Sequence, residues 1–278
     1  MTLVVALRVH EGVVLTADSA STMIYRNVNG QSEVKNVYNN ANKIFNLYKG
    51  APIGALTWGG GSIGEASIST LAKDFRARLD DPSDSIAIDP NAYTMFEVAS
   101  KFADFMRGIY TQRYGLASTQ ADSFTGFIIA GYSSNALKAD VYEITLENGQ
   151  IKGPTLVPEF PSIYLAGQPN AAQRLIFGVD PALPNVLRDN LGVPETQIAP
   201  IMQVIVPALF SRLDNPAMPI QDAIDLAEFL VDLTIKYVRF SEGEQTVGGP
   251  IEIATITKHE KFKWIRRKYY YDAALNRS

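Results

Sequence analysis

Short apolar runs separated by turn-forming residues fill the first sixty positions of the chain. Residues 3–9 and 12–17 are two such runs, and the His-Glu-Gly between them is typical of a β-hairpin. A turn signal at Asn29-Gly30 predicts a second hairpin, and a turn at Lys49-Gly50 predicts two further strands within "NKIFNLYKGAPIGALTW". Together these elements predict a continuous antiparallel meander.

The spacing of apolar residues becomes helical after the glycine-rich "GGGS". The residues that predict the first helix are Ile68, Leu71, Ala72, Phe75 and Leu79. Asp89-Pro90 has the form of a helix start and predicts a second helix that runs to Tyr110. Strands return near residue 124, a mainly helical region covers 171–240, and two strands close the chain.

This order of elements is not the strict strand and helix alternation of a parallel sheet. We therefore expect an α+β fold in which helical layers cover two antiparallel sheets. No internal repeat or low-complexity linker interrupts the chain, so residues 1–278 are expected to form a single domain.

The charge of the chain narrows the choice of partners. The 278 residues carry a formal net charge of −4, and the basic stretch "KHEKFKWIRRK" interleaves its charges with strand residues, so we expect no nucleic-acid partner. No apolar run reaches the length of about 18 residues that a membrane span needs, and the first residues do not resemble a signal peptide. These patterns predict no membrane association and a cytoplasmic location.

The chain has no cysteine and only two histidines, His10 and His259. Disulfides, thiolate nucleophiles and cysteine-ligated metals are therefore excluded, and a histidine-based metal cluster is not expected. Both histidines lie in polar turn sequences and are predicted to be exposed. We expect neither a metal nor another cofactor.

The stretch "WGGGSIGEA" matches two well-known patterns. Gly60 to Gly64 reads as G-x-S-x-G with Ser62 as nucleophile, which would need His259 as its base. Gly59 to Gly64 reads as the dinucleotide-binding G-x-G-x-x-G, which the preceding β-meander fits poorly. A plainer interpretation is a turn whose backbone N–H groups point into a cleft beside a helix N-terminus and can hold an oxyanion.

A hydroxyl nucleophile in this chain needs a base other than histidine, and an N-terminal threonine contains one. Removal of Met1 would give Thr2 a free α-amine with an ordinary pKa of about 7.7–8.0, which can accept the proton of its own Oγ. A nearby ammonium would tune that amine, and a carboxylate would hold the ammonium in place. Lys43 and Asp18 are the candidates for these two roles.

The same residues resemble the start of proteasome β-type subunits, which are N-terminal nucleophile (Ntn) hydrolases of the 20S proteasome superfamily. The resemblance is carried by "TLVVALRVHEGVVLTADSAST", "NKIFNL" and "IGALTWGGG". In that family a threonine begins the first strand, a D-S-x-x-T segment follows the hairpin, and a lysine and a glycine-rich turn come later. The matching positions here are Thr2, Asp18, Ser19, Thr22, Lys43 and Gly59.

This resemblance implies a four-layer αββα sandwich and a threonine-type endopeptidase. Thr2 would be the nucleophile and Gly59 N–H the oxyanion donor, while backbone groups of Thr22 and Gly59 would pair with an extended peptide. The residues implied near the pocket for the side chain before the scissile bond are Ser21, Ala41, Thr57 and Gly61. The implied partners are peptide or unfolded-protein substrates and further copies of the chain in a homo-oligomeric ring. The sequence leaves open whether an ATP-dependent unfoldase is also a partner.

Several positions depart from the family pattern. A helical insertion is predicted around residues 180–215. Glu244 and Val247 stand where the family has an Asp and a Ser behind the nucleophile, and another supporting Ser maps near Gln168. Glu244 could still receive the terminal amine. Two alternatives therefore remain open: a non-catalytic ring or scaffold subunit, and an Ntn amidohydrolase of non-peptide substrates.

Overall fold

The computed structural model describes residues 2–26, 32–115, 124–147 and 149–268. The strands are β1 (Leu3–Val9), β2 (Gly12–Ala17), β3 (Ser21–Arg26), β4 (Ser32–Tyr38), β5 (Ile44–Asn46), β6 (Ile53–Gly59), β7 (Ser62–Ile63), β8 (Ala66–Ser67), β9 (Phe124–Gly131), β10 (Asp140–Glu147), β11 (Gln150–Leu156), β12 (Ile163–Gly167), β13 (Glu252–Thr257) and β14 (Lys261–Arg266). The helices are α1 (Ile68–Leu79), α2 (Met95–Tyr114), α3 (Asn170–Phe177), α4 (Leu183–Asp189), α5 (Glu195–Leu209) and α6 (Ile220–Phe240).

Two five-stranded antiparallel sheets form the centre of the fold. The first sheet has the strand order β12-β1-β2-β13-β14, and the second has the order β11-β10-β9-β6-β5. Strands β3 and β4 pair only with each other in the described part of the chain, as do β7 and β8. The predicted α+β class with antiparallel sheets is thus confirmed.

The predicted hairpins at residues 3–9 and 12–17 and around Lys49-Gly50 are confirmed, but the continuous meander is wrong. The first hairpin lies in the first sheet, and β5 and β6 lie in the second. The reason is that β2 takes the distant strand β13 as its outer neighbour, with Leu15 opposite Ala254. The predicted turn at Asn29-Gly30 lies outside the described residues.

The helix boundaries follow the capping side chains. Helix α1 is confirmed, and Ser67 Oγ accepts the N–H of Thr70 at its start. Helix α2 begins later than predicted, because Thr94 Oγ1 caps it by accepting the N–H of Glu97 at 3.1 Å. Asp89 instead accepts the N–H of Asn91 and closes a turn.

Three buried apolar clusters join the sheets and helices. One lies between the second sheet and helices α1 and α2, where Phe102 makes edge-on ring contacts with Phe75 and Phe127 at centroid distances of 5.1 Å. A second lies between the two sheets and includes Leu15 and Ile128. The third joins the first sheet to α3 and α6. Burial of each such side chain contributes about 1.5–3 kcal/mol, so these clusters fix how the sheets and helices pack.

Helices α4 and α5 occupy most of the region between residues 180 and 215. In α5 only Ile198 is buried, and in α4 no residue is. None of the helices in the described ranges combines the length and the apolar character that crossing a bilayer requires.

Candidate active site

The hairpin of β1 and β2 brings Thr2 and Asp18 together. Thr2 immediately precedes β1 and Asp18 immediately follows β2, and in this antiparallel pair Val4 lies opposite Ala17. Two residues that are sixteen positions apart therefore meet at the same end of the first sheet. Both are buried, at 4% exposure for Thr2 and 0% for Asp18.

The Thr2 hydroxyl lies between a carboxylate and an ammonium. Thr2 Oγ1 donates a hydrogen bond to Asp18 Oδ1, and Lys43 Nζ donates one to Thr2 Oγ1. Lys43 Nζ also lies 2.6 Å from Asp18 Oδ1 and closes a three-membered ring of contacts. An ammonium so placed stabilises negative charge that develops on the threonine oxygen.

Backbone N–H groups hold the Asp18 carboxylate from several directions. Its Oδ1 accepts the N–H of Leu3 at 3.0 Å, and its Oδ2 accepts the N–H groups of Ala20 and Gly248, each at 3.0 Å. Hydrogen bonds to an ionised carboxylate are stronger than those between neutral groups. The orientation of Asp18 is thus set by three parts of the backbone.

Lys43 reaches the site from the residue just before β5. Its backbone carbonyl accepts the N–H of Thr57 on β6 at 3.0 Å, which ties it to the second sheet. Burial lowers the pKa of the Lys43 ammonium from its ordinary value, and the contact with Asp18 opposes this shift. A buried lysine of this kind can exchange a proton more readily than one at the surface.

A cavity of about 460 Å³ opens in front of Thr2 and Lys43. The residues predicted near the substrate all line it, namely Ser21, Thr22, Ala41, Thr57, Gly59 and Gly61. Thr57 is buried and its Oγ1 donates to Gly126 O at 3.1 Å. Gly59 ends β6 with φ +85°, and a Cβ there would collide with the carbonyl of Phe124. Only glycine can therefore pass the chain through this point of the cavity wall without strain.

The positions that depart from the family pattern are distributed differently. Val247 is fully buried in the apolar cluster beneath β1 and contributes no hydrogen-bonding side chain. Gln168 N–H donates to Thr2 O at 2.7 Å, and Gln168 Oε1 accepts from Thr246 Oγ1 at 2.8 Å. Glu244 is exposed and lines a second cavity together with Gln168 and Thr246. Its predicted contact with the terminal amine stays a prediction.

The other candidate residues lie in ordinary surroundings. His10 and His259 are exposed in turns, as predicted. Ser62 is exposed on the short strand β7. In the described part of the chain, no three His, Cys, Asp or Glu side chains are grouped so that they could hold a metal ion.

Two glycines that contact Thr2 or its partner Asp18 are not predicted from the sequence. Gly248 donates to Asp18 from a position 230 residues away, and no local pattern announces that contact. Gly167 has φ +93°, and a Cβ there would collide with the carbonyl of Thr2. The "LAGQ" sequence around Gly167 signals a strand end but not its approach to Thr2.

Comparisons with known proteins locate the fold. No model of a known protein family matches the sequence, and no curated protein matches it significantly. Anbu (ancestral beta-subunit) from Yersinia bercovieri is 13% identical, with a TM-score of 0.56 over 96% of this chain and 88% of that one. The helical assembly of the Anbu complex from Pseudomonas aeruginosa is 13% identical, with a TM-score of 0.58 over 98% and 90% of the two chains. Anbu from Hyphomicrobium sp. strain MC1 is 15% identical, with a TM-score of 0.55 over 96% and 86%.

These neighbours correct the resemblance inferred from the sequence. Proteasome β-type subunits are the wrong assignment, because the structures compared above are Anbu proteins, which are proteasome-like but form a distinct family. Thr2 and Asp18 come from the first sheet and Lys43 from the edge of the second, and these three residues alone do not assign the chain to one family. At 13–15% identity the likeness shows the fold alone. The chain has the proteasome-like fold of the Anbu proteins.

Proposed function

We propose that this chain is an N-terminal threonine hydrolase that cleaves peptide bonds once Met1 has been removed. One observation carries the proposal: Thr2 Oγ1 contacts both Lys43 Nζ and the Asp18 carboxylate beside an open cavity. A threonine hydroxyl is a weak nucleophile unless a base takes its proton. In this site the neighbouring positive charge stabilises the oxygen as the proton leaves.

The α-amine of Thr2 is the proposed base. Its ordinary pKa of about 7.7–8.0 leaves a useful fraction neutral near neutral pH. As Thr2 Oγ attacks the carbonyl carbon, the amine takes the hydroxyl proton, and the Gly59 N–H binds the resulting oxyanion. The proton then passes to the leaving amine, and an ester joins Thr2 Oγ to the acyl part of the substrate. A water molecule then gives one proton to the same α-amine as its oxygen attacks the ester carbon, and this proton returns to Thr2 Oγ as the carboxylic acid leaves.

The lining of the cavity supports an extended peptide as the substrate. We propose that backbone groups of Thr22 and Gly59 pair with the peptide as an added strand. The side chain before the scissile bond would then meet Ser21, Ala41, Thr57 and Gly61, which carry no charge. Uncharged side chains of modest size are the expected preference at that position.

We also propose that the elements form a four-layer αββα sandwich and that the chain assembles with copies of itself. The three apolar clusters support the layering, since one lies between the sheets and the others lie between each sheet and its helices. The helical assembly of the Pseudomonas aeruginosa neighbour supports self-association.

Covalent labelling of untagged protein tests this function. A β-lactone probe should add once per chain, and peptide mapping should find it on Thr2 of protein that has lost Met1. Thr2→Ala should abolish the adduct, whereas Ser62→Ala, which alters an exposed hydroxyl outside the proposed site, should label like the wild type. If processed and folded protein takes no adduct and cleaves no member of a diverse peptide library, the non-catalytic scaffold is the correct function.

A further inference from the structure

The basic stretch near the end of the chain places one lysine against the proposed active site. Lys268 follows β14, and its Nζ lies 2.8 Å from Ser19 Oγ, 2.7 Å from Ala41 O and 2.8 Å from Glu252 Oε2. An ammonium group has three N–H donors and no acceptor. Lys268 Nζ donates hydrogen bonds to Ser19 Oγ and Ala41 O and forms an ion pair with Glu252, and these three partners come from three separate segments.

The two hydrogen-bond acceptors lie next to residues of the proposed active site. Ser19 is adjacent to Asp18, and Ala41 lies two residues before Lys43. The N–H of Ala41 also donates to Ser19 O at 2.9 Å. Lys268 thus strengthens the contact between the Ser19 and Ala41 segments, which carry the Asp18 carboxylate and the Lys43 ammonium that contact Thr2.

The third partner, Glu252, forms a buried ion pair with Lys268, in addition to the pair of Lys43 and Asp18. Glu252 begins β13, is 1% exposed, and lies opposite Ala17 of β2. Within the described ranges, its Oε2 accepts no hydrogen bond and has the Lys268 ammonium as its ion-pair partner. Buried ion pairs are often no more stabilising than apolar side chains of the same volume, because both charges lose their hydration. We therefore attribute this ion pair to the positioning of the neighbouring segments and not to a gain in the free energy of folding.

We propose that Lys268 is a positioning residue that fixes the separation of the Asp18 and Lys43 segments and so aims Lys43 Nζ at Thr2 Oγ1. This inference rests on the proposed function. Lys268 acts through Ser19 and Ala41, and its hydrogen bonds and ion pair within the described residues do not include Thr2.

The rate of Thr2 labelling at saturating probe is the main measurement. Lys268→Met keeps most of the length of the side chain and removes its donors, and it should lower that rate roughly 10- to 100-fold, as expected when catalytic groups are displaced by about 1 Å. The half-saturating probe concentration should change much less than the rate, since Lys268 does not line the cavity and reaches it only through Ala41 O. A purely structural role would lower the melting temperature and leave the rate of the folded fraction unchanged.

A double variant separates positioning from charge and guards against misfolding. Lys268→Met/Glu252→Gln removes both charges of the second ion pair, so it leaves no unpaired buried carboxylate. The labelling rate should remain low, because the bridge between Ser19 and Ala41 is still missing. Full recovery of the rate in the double variant would show that Lys268 acts only by balancing the charge of Glu252.

A matched control comes from the same strand end. Arg266 pairs with Glu228 at the surface, and Arg266→Met should leave the labelling rate as in the wild type. Hydrogen exchange gives a readout that does not need activity: exchange of the Ala41 N–H should accelerate in both Lys268 variants and not in Arg266→Met. Unchanged exchange and an unchanged rate in Lys268→Met would overturn the positioning role. Wild-type protein that takes no adduct would instead count against the proposed function.

Discussion

Lys43 Nζ and Asp18 Oδ1 lie 2.6 Å apart, and both side chains are almost completely buried. Two charges removed from water in this way lose hydration, which their mutual attraction only partly offsets. The pair also shares its contacts with Thr2 Oγ1. Its placement is therefore best explained by the chemistry of the hydroxyl, and the energetic cost of separating the two residues can be measured.

Removing one member of the pair should cost more than removing both. Asp18→Asn leaves the Lys43 ammonium buried without its partner, and we expect the free energy of unfolding to fall by about 3–5 kcal/mol. Lys43→Met should cost less, because the N–H groups of Leu3, Ala20 and Gly248 still stabilise the carboxylate. The measurement is denaturant unfolding of both single variants and the double variant. Strict additivity of the single effects would show that the two charges are not coupled.

The pH dependence of stability should identify the buried lysine. Burial lowers the pKa of Lys43 below its value of 10.5 in the unfolded chain, so the unfolded state binds more protons between those two values. Lys43 therefore opposes folding below its folded pKa, and this effect is relieved as pH rises towards 10.5. Unfolding measured from neutral pH to that value should show wild-type stability rising relative to Lys43→Met. Parallel profiles would contradict the shift.

The same shift should appear in the labelling rate if the Lys43 ammonium stabilises the nucleophile. The rate should rise as the α-amine of Thr2 loses its proton, near its ordinary pKa of about 7.7–8.0. It should fall again at a pH below 10.5, as Lys43 becomes neutral. Lys43→Met should lower the maximum by roughly 10²–10³-fold, a range typical of removing one group that stabilises developing negative charge, and should remove the descending limb.

Gly167 should be required for the position of Thr2. Gly167→Ala places a methyl group against the Thr2 carbonyl, and we expect both a loss of stability of about 1–3 kcal/mol from backbone strain and slower labelling. Gly50→Ala is the control, because its φ of +114° is also unfavourable for alanine but nothing lies within 4 Å of the added Cβ. Gly50→Ala should lose stability alone. Equal labelling of the two variants would show that the contact with Thr2 has no effect on the nucleophile.

A blocked N-terminus distinguishes the proposed base from Lys43. Protein that keeps a residue or tag before Thr2 has an amide in place of the α-amine, and it should fold normally but take no β-lactone adduct. Circular dichroism and intact mass spectrometry check the two halves of this expectation. Persistent labelling on Thr2 would assign the base to Lys43, whose pKa is lowered by burial.

Self-association should be visible in solution. Light scattering of untagged protein at micromolar concentration should give a mass several times that of one chain, since the neighbour from Pseudomonas aeruginosa forms a helical assembly. A single-chain mass at all concentrations would contradict this prediction.

Local sequence was sufficient for the parts of the site that a hairpin or strand end determines. Thr2 and Asp18 flank one hairpin, so their meeting follows from strand pairing alone. Lys43 lies in a predicted strand and directly precedes the observed strand β5, and Gly59 ends β6. The fold class followed in the same way from the order of strands and helices.

The remainder depends on pairing between distant segments. Strand β13 inserts beside β2, which brings Gly248 and Glu252 to the site, and no periodicity within either strand encodes that choice. The predicted start of α2 is wrong for a different reason. Asp89 and Thr94 both have side chains that can cap a helix, and only tertiary structure decides which of them does so.

The hydrogen bond from Gly248 to Asp18 also determines when, during synthesis of the chain, the surroundings of Asp18 can form. Translation proceeds from the N-terminus towards the C-terminus, so Asp18 is made 230 residues before Gly248, which donates a hydrogen bond to its carboxylate. A chain still attached to the ribosome cannot complete this arrangement until residue 248 has emerged. The surroundings of Thr2 and Asp18 are therefore incomplete during most of synthesis, and they are completed only when β13 and the residues before it join the first sheet.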